Sequence, residues 1–161
     1  MKLDMTSPLE VGIACRDLAR LRHFYEDVLG LSFISEHQVP ASKATESALS
    51  AGGYTVVRLQ TSNGERVKLL APASPPPVQE LGAFILDKPN AVYLTFIIED
   101  IDAAIAHLRQ EGTTFMTGES RVEVRPGVYL AFCRDPEGNV IELVQYEDIS
   151  NYRTDLTQRN G

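Results

Sequence analysis

The chain predicts an α+β fold built from two βαβββ modules, and three observations carry that prediction. The first is an internal repeat. EVGIACRDLARL aligns with YLTFIIEDIDAA, and the aspartates Asp17 and Asp100 come after the strand residues Glu10 and Tyr93 at the same spacing. The second is punctuation: the two predicted helices stop at Gly30 and Gly112. The third is a run of three strands after each helix, in which ERVKLL around Lys68 matches NVIELV around Glu142. Two such mixed sheets can curl into a U-shaped trough with the helices packed outside. The modules are expected over residues 1–70 and 91–147, separated by a Pro-rich linker over 71–90 and succeeded by a polar tail over 148–161.

Each element has its own signal. Met1 to Pro8 is a polar lead-in, and Leu9 to Cys15 alternates as a strand, with Glu10, Gly12 and Ala14 on one face. Asp17 is the expected N-cap of a helix whose apolar positions, Leu18, Leu21, Phe24, Tyr25, Val28 and Leu29, recur at helical spacing. His23 reads as a partly exposed residue of that helix. Leu31 to Val39 is the second strand, with His37 near its end. Pro40 to Leu49 is polar and reads as a loop. Tyr54 to Gln60 and Arg66 to Leu70 are strands joined by the turn residues Ser62-Asn63-Gly64-Glu65.

Prolines 72, 75, 76, 77 and 89 crowd the linker, which reads as extended chain. Within it, Gln79 to Leu86 could form a short helix or an apolar lid. The pattern then restarts. Ala91 to Ile98 is a strand, Asp100 caps a helix over Ile101 to Glu111, and Ile101, Ala104, Ile105 and Leu108 face inward. Arg121 to Arg125 and Tyr129 to Cys133 form a strand pair across Pro126-Gly127. Val140 to Tyr146 closes the module. The tail from Asp148 is polar, with Tyr152 and Leu156 able to dock it.

At 161 residues, with 43% hydrophobic and 23% charged residues, the chain is large enough to bury a core. The formal net charge of −7 argues against nucleic acid or an anionic membrane as a partner. A local basic cluster could still bind a small anion. Cys15 and Cys133 make no disulfide framework and read as small core residues. No signal-like segment or long apolar run occurs, so a cytoplasmic location is the default expectation.

The most informative stretch is FCRDPEGNVIELVQY. Asp135-Pro136-Glu137-Gly138-Asn139 supplies a tight turn between two strands. On the second strand, Val140, Glu142 and Val144 share one face, which sets the Glu142 carboxylate into an apolar strand. Buried alone it would be costly, so it should face a partner, a metal or water in a cleft, unless the strand is an exposed edge. DPEGNVIEL resembles the closing hairpin of the vicinal oxygen chelate superfamily, which includes glyoxalase I, bleomycin-resistance proteins and extradiol dioxygenases. With FYEDVLGL and both helix-entry signals, the resemblance spans roughly residues 9–146.

The resemblance implies that the inner sheet faces line a cleft. Strand parity then offers Gly12, Ala14 and Thr95 as substrate-contacting residues and places Arg66 in the lining beside Lys68, with Arg58 and Tyr129 as further candidates. The family's metal-ligand positions carry over onto Glu10, Lys68, Tyr93 and Glu142, which become the expected catalytic residues. A protonated Lys has no lone pair to donate, and two carboxylates without His do not suit a tight Zn²⁺, Ni²⁺ or Fe²⁺ site. A site without a cofactor is therefore expected. The alternative is a weak Mg²⁺ or Mn²⁺ held by Glu10 and Glu142 and completed by waters.

These residues suit a glyoxalase-like lyase or isomerase acting beside a carbonyl. One carboxylate would remove a proton, and Lys68 or Tyr93 would stabilise the enolate oxygen. The alternative is a binding or resistance protein that performs no chemistry. Extradiol ring cleavage and glutathione-linked chemistry are disfavoured by the missing His ligands. The partner is thus a small molecule, and the resemblance implies a homodimer.

Overall fold

The computed structural model describes residues 3–157, and the chain divides into two compact units with the boundary between Glu80 and Leu81. Residues 1–2 and 158–161, the outermost parts of the lead-in and the tail, lie outside the described residues. Each unit holds one four-stranded mixed sheet.

In the first unit, strands β1 (Glu10–Ala14), β2 (Ser32–Val39), β3 (Tyr54–Gln60) and β4 (Arg66–Pro72) form a sheet in the order β1-β4-β3-β2. β1 pairs with β4 in parallel; the other pairs are antiparallel. The chain passes from β1 at one edge to β2 at the other by way of α1 (Leu18–His23), which packs against β4. Asp17 caps α1 as its spacing predicts, accepting a hydrogen bond from the Arg20 N–H at 3.0 Å.

The predicted helix does not stay α-helical to its end. Phe24–Val28 is a turn of π-helix, closed by Leu29 N–H donating to the Phe24 carbonyl at 2.9 Å. Phe24, Tyr25 and Val28 of this turn are all buried in the core. The segment expected as a loop over Pro40 to Leu49 instead contains α2 (Ala41–Glu46), whose inward residue is Ala44. Its polar sequence hides the helix, because one small buried residue makes no apolar stripe.

The second unit repeats the plan. Strands β5 (Tyr93–Ile97), β6 (Val122–Arg125), β7 (Val128–Arg134) and β8 (Val140–Tyr146) lie in the order β5-β8-β7-β6, with β5 and β8 parallel. α3 (Ile101–Gln110) packs against β7 and β8. Asp100 caps it, accepting from Ala103 N–H at 2.9 Å, and Ile101, Ile105 and Leu108 are buried. Between the sheets in sequence lies a 3-10 turn at Ile85–Asp87, and Leu81, Phe84 and Leu86 are exposed. The tail forms α4 (Ile149–Tyr152) and α5 (Thr154–Thr157), and Tyr152 stacks on Tyr146 with ring centroids 4.5 Å apart. No helix among the described residues is long and apolar enough to cross a membrane.

In each sheet one face is the core. Val57, Leu59, Val67 and Leu69 fill it in the first unit, and Ala131, Cys133, Ile141 and Leu143 in the second. Both cysteines are buried as free thiols. The opposite faces carry Glu10, Gly12, Ala14, Arg58 and Lys68 in the first unit and Tyr93, Thr95 and Glu142 in the second.

Candidate functional site

The closing hairpin of the second unit sets the register of everything around Glu142. Asp135 is buried at the turn, where its Oδ1 accepts from the Glu137 and Asn139 N–H groups at 2.9 and 3.0 Å. Its Oδ2 accepts from the Asn139 side-chain amide at 2.7 Å. Gly138 takes φ +93°, a conformation that L side chains resist. The turn fixed in this way places Glu142 opposite Phe132 on β7 and in parallel register with Thr95 on β5.

That register brings the Thr95 hydroxyl to Glu142, and it donates to Oε2 at 2.6 Å. The other carboxylate oxygen makes no hydrogen bond with the described residues. Tyr93, two residues before Thr95, meets the Phe132 ring edge-on at a centroid distance of 5.3 Å. β8 lies between β5 and β7, so the two rings meet above it, and Val140, the register partner of Tyr93, is buried. The Tyr93 hydroxyl has no partner among the described residues. A carboxylate, a phenol and an aromatic pair therefore share one accessible face.

The same face of the first sheet has a different character. Lys68 occupies the place in β4 that Glu142 occupies in β8. Its neighbours in register are Gly12 on β1 and Arg58 on β3. Glu10 is shared by two cations, with Lys68 Nζ at 3.6 Å and Arg66 Nη1 at 3.8 Å. Arg66 is also anchored through Nε, which donates to the Gln60 Oε1 at 2.8 Å. Gly12 and Ala14 are exposed beside this cluster. A Cβ on Gly12 would come within 3.2 Å of a Leu70 methyl, so the small residue preserves space next to Lys68.

The structure thus gathers the expected residues in two groups, Glu10, Lys68, Gly12, Ala14 and Arg58 on one sheet and Tyr93, Thr95 and Glu142 on the other. Tyr129 is corrected. It pairs with Gln145, which puts it on the face opposite Glu142, toward α3. There its hydroxyl donates to Glu147 Oε1 at 2.8 Å, and the Arg121 guanidinium lies 3.9 Å from its ring centroid. The aromatic residue beside Glu142 is Phe132 instead. Parity counted from Glu142 back through the hairpin would have found it. Arg66, expected in the lining from its place on the Lys68 face of β4, joins the cluster.

A hollow lies elsewhere in the second unit, between the β6–β7 turn and the tail. It has a volume of about 440 Å³, with Arg125, Gly127, Tyr146, Asp148 and Tyr152 among its walls.

Known proteins share this architecture. The family model described as the Glyoxalase/Bleomycin resistance protein/Dioxygenase superfamily matches residues 7–143. The uncharacterized protein YaeR of Escherichia coli strain K12 is 27% identical over 135 residues, covering 84% of this chain and 92% of YaeR. Among solved structures, a glyoxalase family protein from Bacillus cereus superposes with a TM-score of 0.74 at 20% identity, covering 90% of this chain and 97% of that one. The trypanothione-dependent glyoxalase I of Leishmania major superposes with a TM-score of 0.66 at 20% identity, covering 94% and 96%. At these identities the solved structures establish the fold.

Proposed function

Because the chain belongs to the glyoxalase/bleomycin resistance protein/dioxygenase superfamily, we propose that it is a lyase or isomerase of small carbonyl compounds, with Glu142 as its base. The observation that carries this reading is the Thr95–Glu142 hydrogen bond on an accessible sheet face. It orients one carboxylate oxygen and leaves the other for a substrate proton.

Glu142 Oε1 takes a proton from the carbon beside the substrate carbonyl. The C–H electron pair becomes the C=C bond of an enolate, and the carbonyl electrons move onto oxygen. The Tyr93 hydroxyl is the donor available in the same module to receive that charge. Protonation of the same carbon from its opposite face by solvent epimerises the substrate. Where that carbon carries a hydroxyl, the hydroxyl proton moves to the enolate oxygen, Glu142 returns its proton to the former carbonyl carbon, and the carbonyl reforms at the first carbon, which isomerises it. The Tyr93–Phe132 pair supplies an apolar wall for the substrate body.

The family's metal does not fit these residues. One ligand-equivalent position holds Lys68, whose ammonium faces Glu10, and another holds the Tyr93 phenol in place of an imidazole or carboxylate. No three His, Cys, Asp or Glu side chains among the described residues group as ligands. The proposed chemistry accordingly uses only protein groups.

The test is solvent exchange. A panel of 2-oxo acids and hydroxyketones is incubated with the protein in D₂O and monitored by NMR. Deuterium should enter the position beside the carbonyl of at least one compound, and Glu142→Gln should slow this by about 10²–10⁴-fold. A compound that binds yet returns undeuterated would favour the binding-protein reading. Equal exchange by Glu142→Gln would remove Glu142 from the role of base.

A further inference from the structure

We infer that the exposed face of the first sheet is an oxyanion-binding subsite, built on Arg58 and Lys68, for the carboxylate or phosphate group of a small ligand. The inference goes beyond the proposed base chemistry, since it uses residues of the first module only.

Arg58 and Lys68 are directly opposite one another across the β3–β4 pair. Like charges in that relation destabilise a sheet. Natural sheets tolerate such a pair when something else compensates, and sites of function are where local rules are broken. Among the described residues, the compensation within ion-pair reach on this face is Glu10, and it is shared between Lys68 and Arg66. Arg58 is half-buried, and its guanidinium makes no ion pair or hydrogen bond with the described residues. Burial of an unpaired guanidinium is unfavourable, and an arriving anion would relieve it.

The neighbours of the pair point the same way. Ser35 on β2 is Arg58's register partner on its other side, and Gly12 flanks Lys68. The row across the sheet therefore runs Ser35, Arg58, Lys68, Gly12. It offers a hydroxyl, a planar guanidinium fork and an ammonium, and at its end a position with no side chain. No carboxylate stands in that row. The repeat sharpens the contrast: Phe132 holds Arg58's place in the second module, and Glu142 holds that of Lys68. One module presents cations where the other presents an aromatic ring and an acid. In a chain of net charge −7, this local excess of positive charge is set against the overall sign.

The experiment is an NMR titration of the full chain, whose mass of 17.8 kDa suits backbone amide spectra. Sodium phosphate and sodium acetate are the probes, with acetamide as the uncharged control and ionic strength held constant. Saturable shifts of β3 and β4 amides around Arg58 and Lys68 are expected below about 100 mM, from phosphate if the natural group is phosphoryl and from acetate if it is a carboxylate. Arg58→Gln should weaken that binding at least about tenfold, as loss of a charge-assisted contact requires. Lys43→Gln, on exposed α2, should leave it unchanged. Lys68→Met provides a second variant, expected to weaken binding likewise. Shifts that do not saturate, or equal affinity in wild type and both site variants, would overturn the subsite. Either result leaves the deuterium-exchange test of Glu142 untouched, so the two readings fail separately.

Discussion

Lys68 Nζ stands 3.6 Å from Glu10 Oε2, a cation facing an acid across the neighbouring strands β4 and β1. Both side chains are about one-third exposed, at 32% and 34%. Water screens such a pair, so its contribution to stability is small. Arg66 remains near Glu10 when Lys68 is removed. Lys68→Met should therefore change unfolding free energy by less than about 1 kcal/mol, read from urea denaturation. A loss of several kcal/mol would show that the pair is an essential structural bridge.

Asp135 should behave very differently. It is buried, and its carboxylate accepts from the Glu137 and Asn139 N–H groups and from the Asn139 side-chain amide. Asp135→Ala orphans two backbone N–H groups inside the hairpin and should cost about 2–4 kcal/mol. Asp135→Asn keeps one acceptor oxygen and should lose less. Thermal denaturation of the two variants beside wild type checks the order. Equal, small losses would mean that the turn holds itself without this side chain.

Cys133 predicts a pH dependence. Burial, helped by the nearby charge of Asp135, pushes its thiol up from 9.0 to about 12. In the unfolded chain the thiol releases its proton near the lower value while the folded thiol keeps it. The folded state then binds more protons than the unfolded one. With the unfolded state binding fewer protons, stability falls as pH rises through the window, by up to about 1.4 kcal/mol per pH unit. Below the window this group has no effect. Cys133→Ala should flatten the decline between pH 9 and 11 relative to wild type, measured by denaturation at each pH. The native thiol should also resist Ellman's reagent at pH 8 and react once the chain is unfolded.

Much of the fold was legible because it rests on local signals. Asp17 and Asp100 cap their helices because each side-chain oxygen reaches an N–H three residues on. Gly30 and Gly112 end them because both need positive φ. The strand parity that set Glu142 apart from Ile141 and Leu143 also held. The hidden features depend on registration between strands or on a change of helical period. Tyr129, a further candidate for the cleft, lies on the other face because a strand's alternation says which residues share a side, and only the pairing says which side. The Asp135 turn fixes that pairing, and a shift of one residue reverses every side chain. The π-turn at Phe24–Val28 was missed because its buried residues also fit an α-helical stripe. The Thr95–Glu142 bond joins positions 47 residues apart, and no sequence spacing announces it.

Gly138 offers a way to separate two causes of strain. Its φ is +93°, and an added Cβ would lie 2.7 Å from a Leu81 methyl. Either fact alone would make Gly138→Ala unfavourable. Leu81 is 57% exposed, so its methyl can swing away at small cost. The backbone cannot, because the Gly138 N–H donates to the Asp135 carbonyl at 3.0 Å and its own carbonyl accepts from Arg134 Nη1 at 2.7 Å. The left-handed conformation should therefore dominate, and Gly138→Ala should cost about 1–2 kcal/mol. A double-mutant cycle with Leu81→Ala checks this. If the backbone governs, the two changes add to within about 0.5 kcal/mol. If Leu81→Ala restores most of the lost stability, the clash governs, and the segment before β5 is packed on the hairpin more tightly than its exposure indicates.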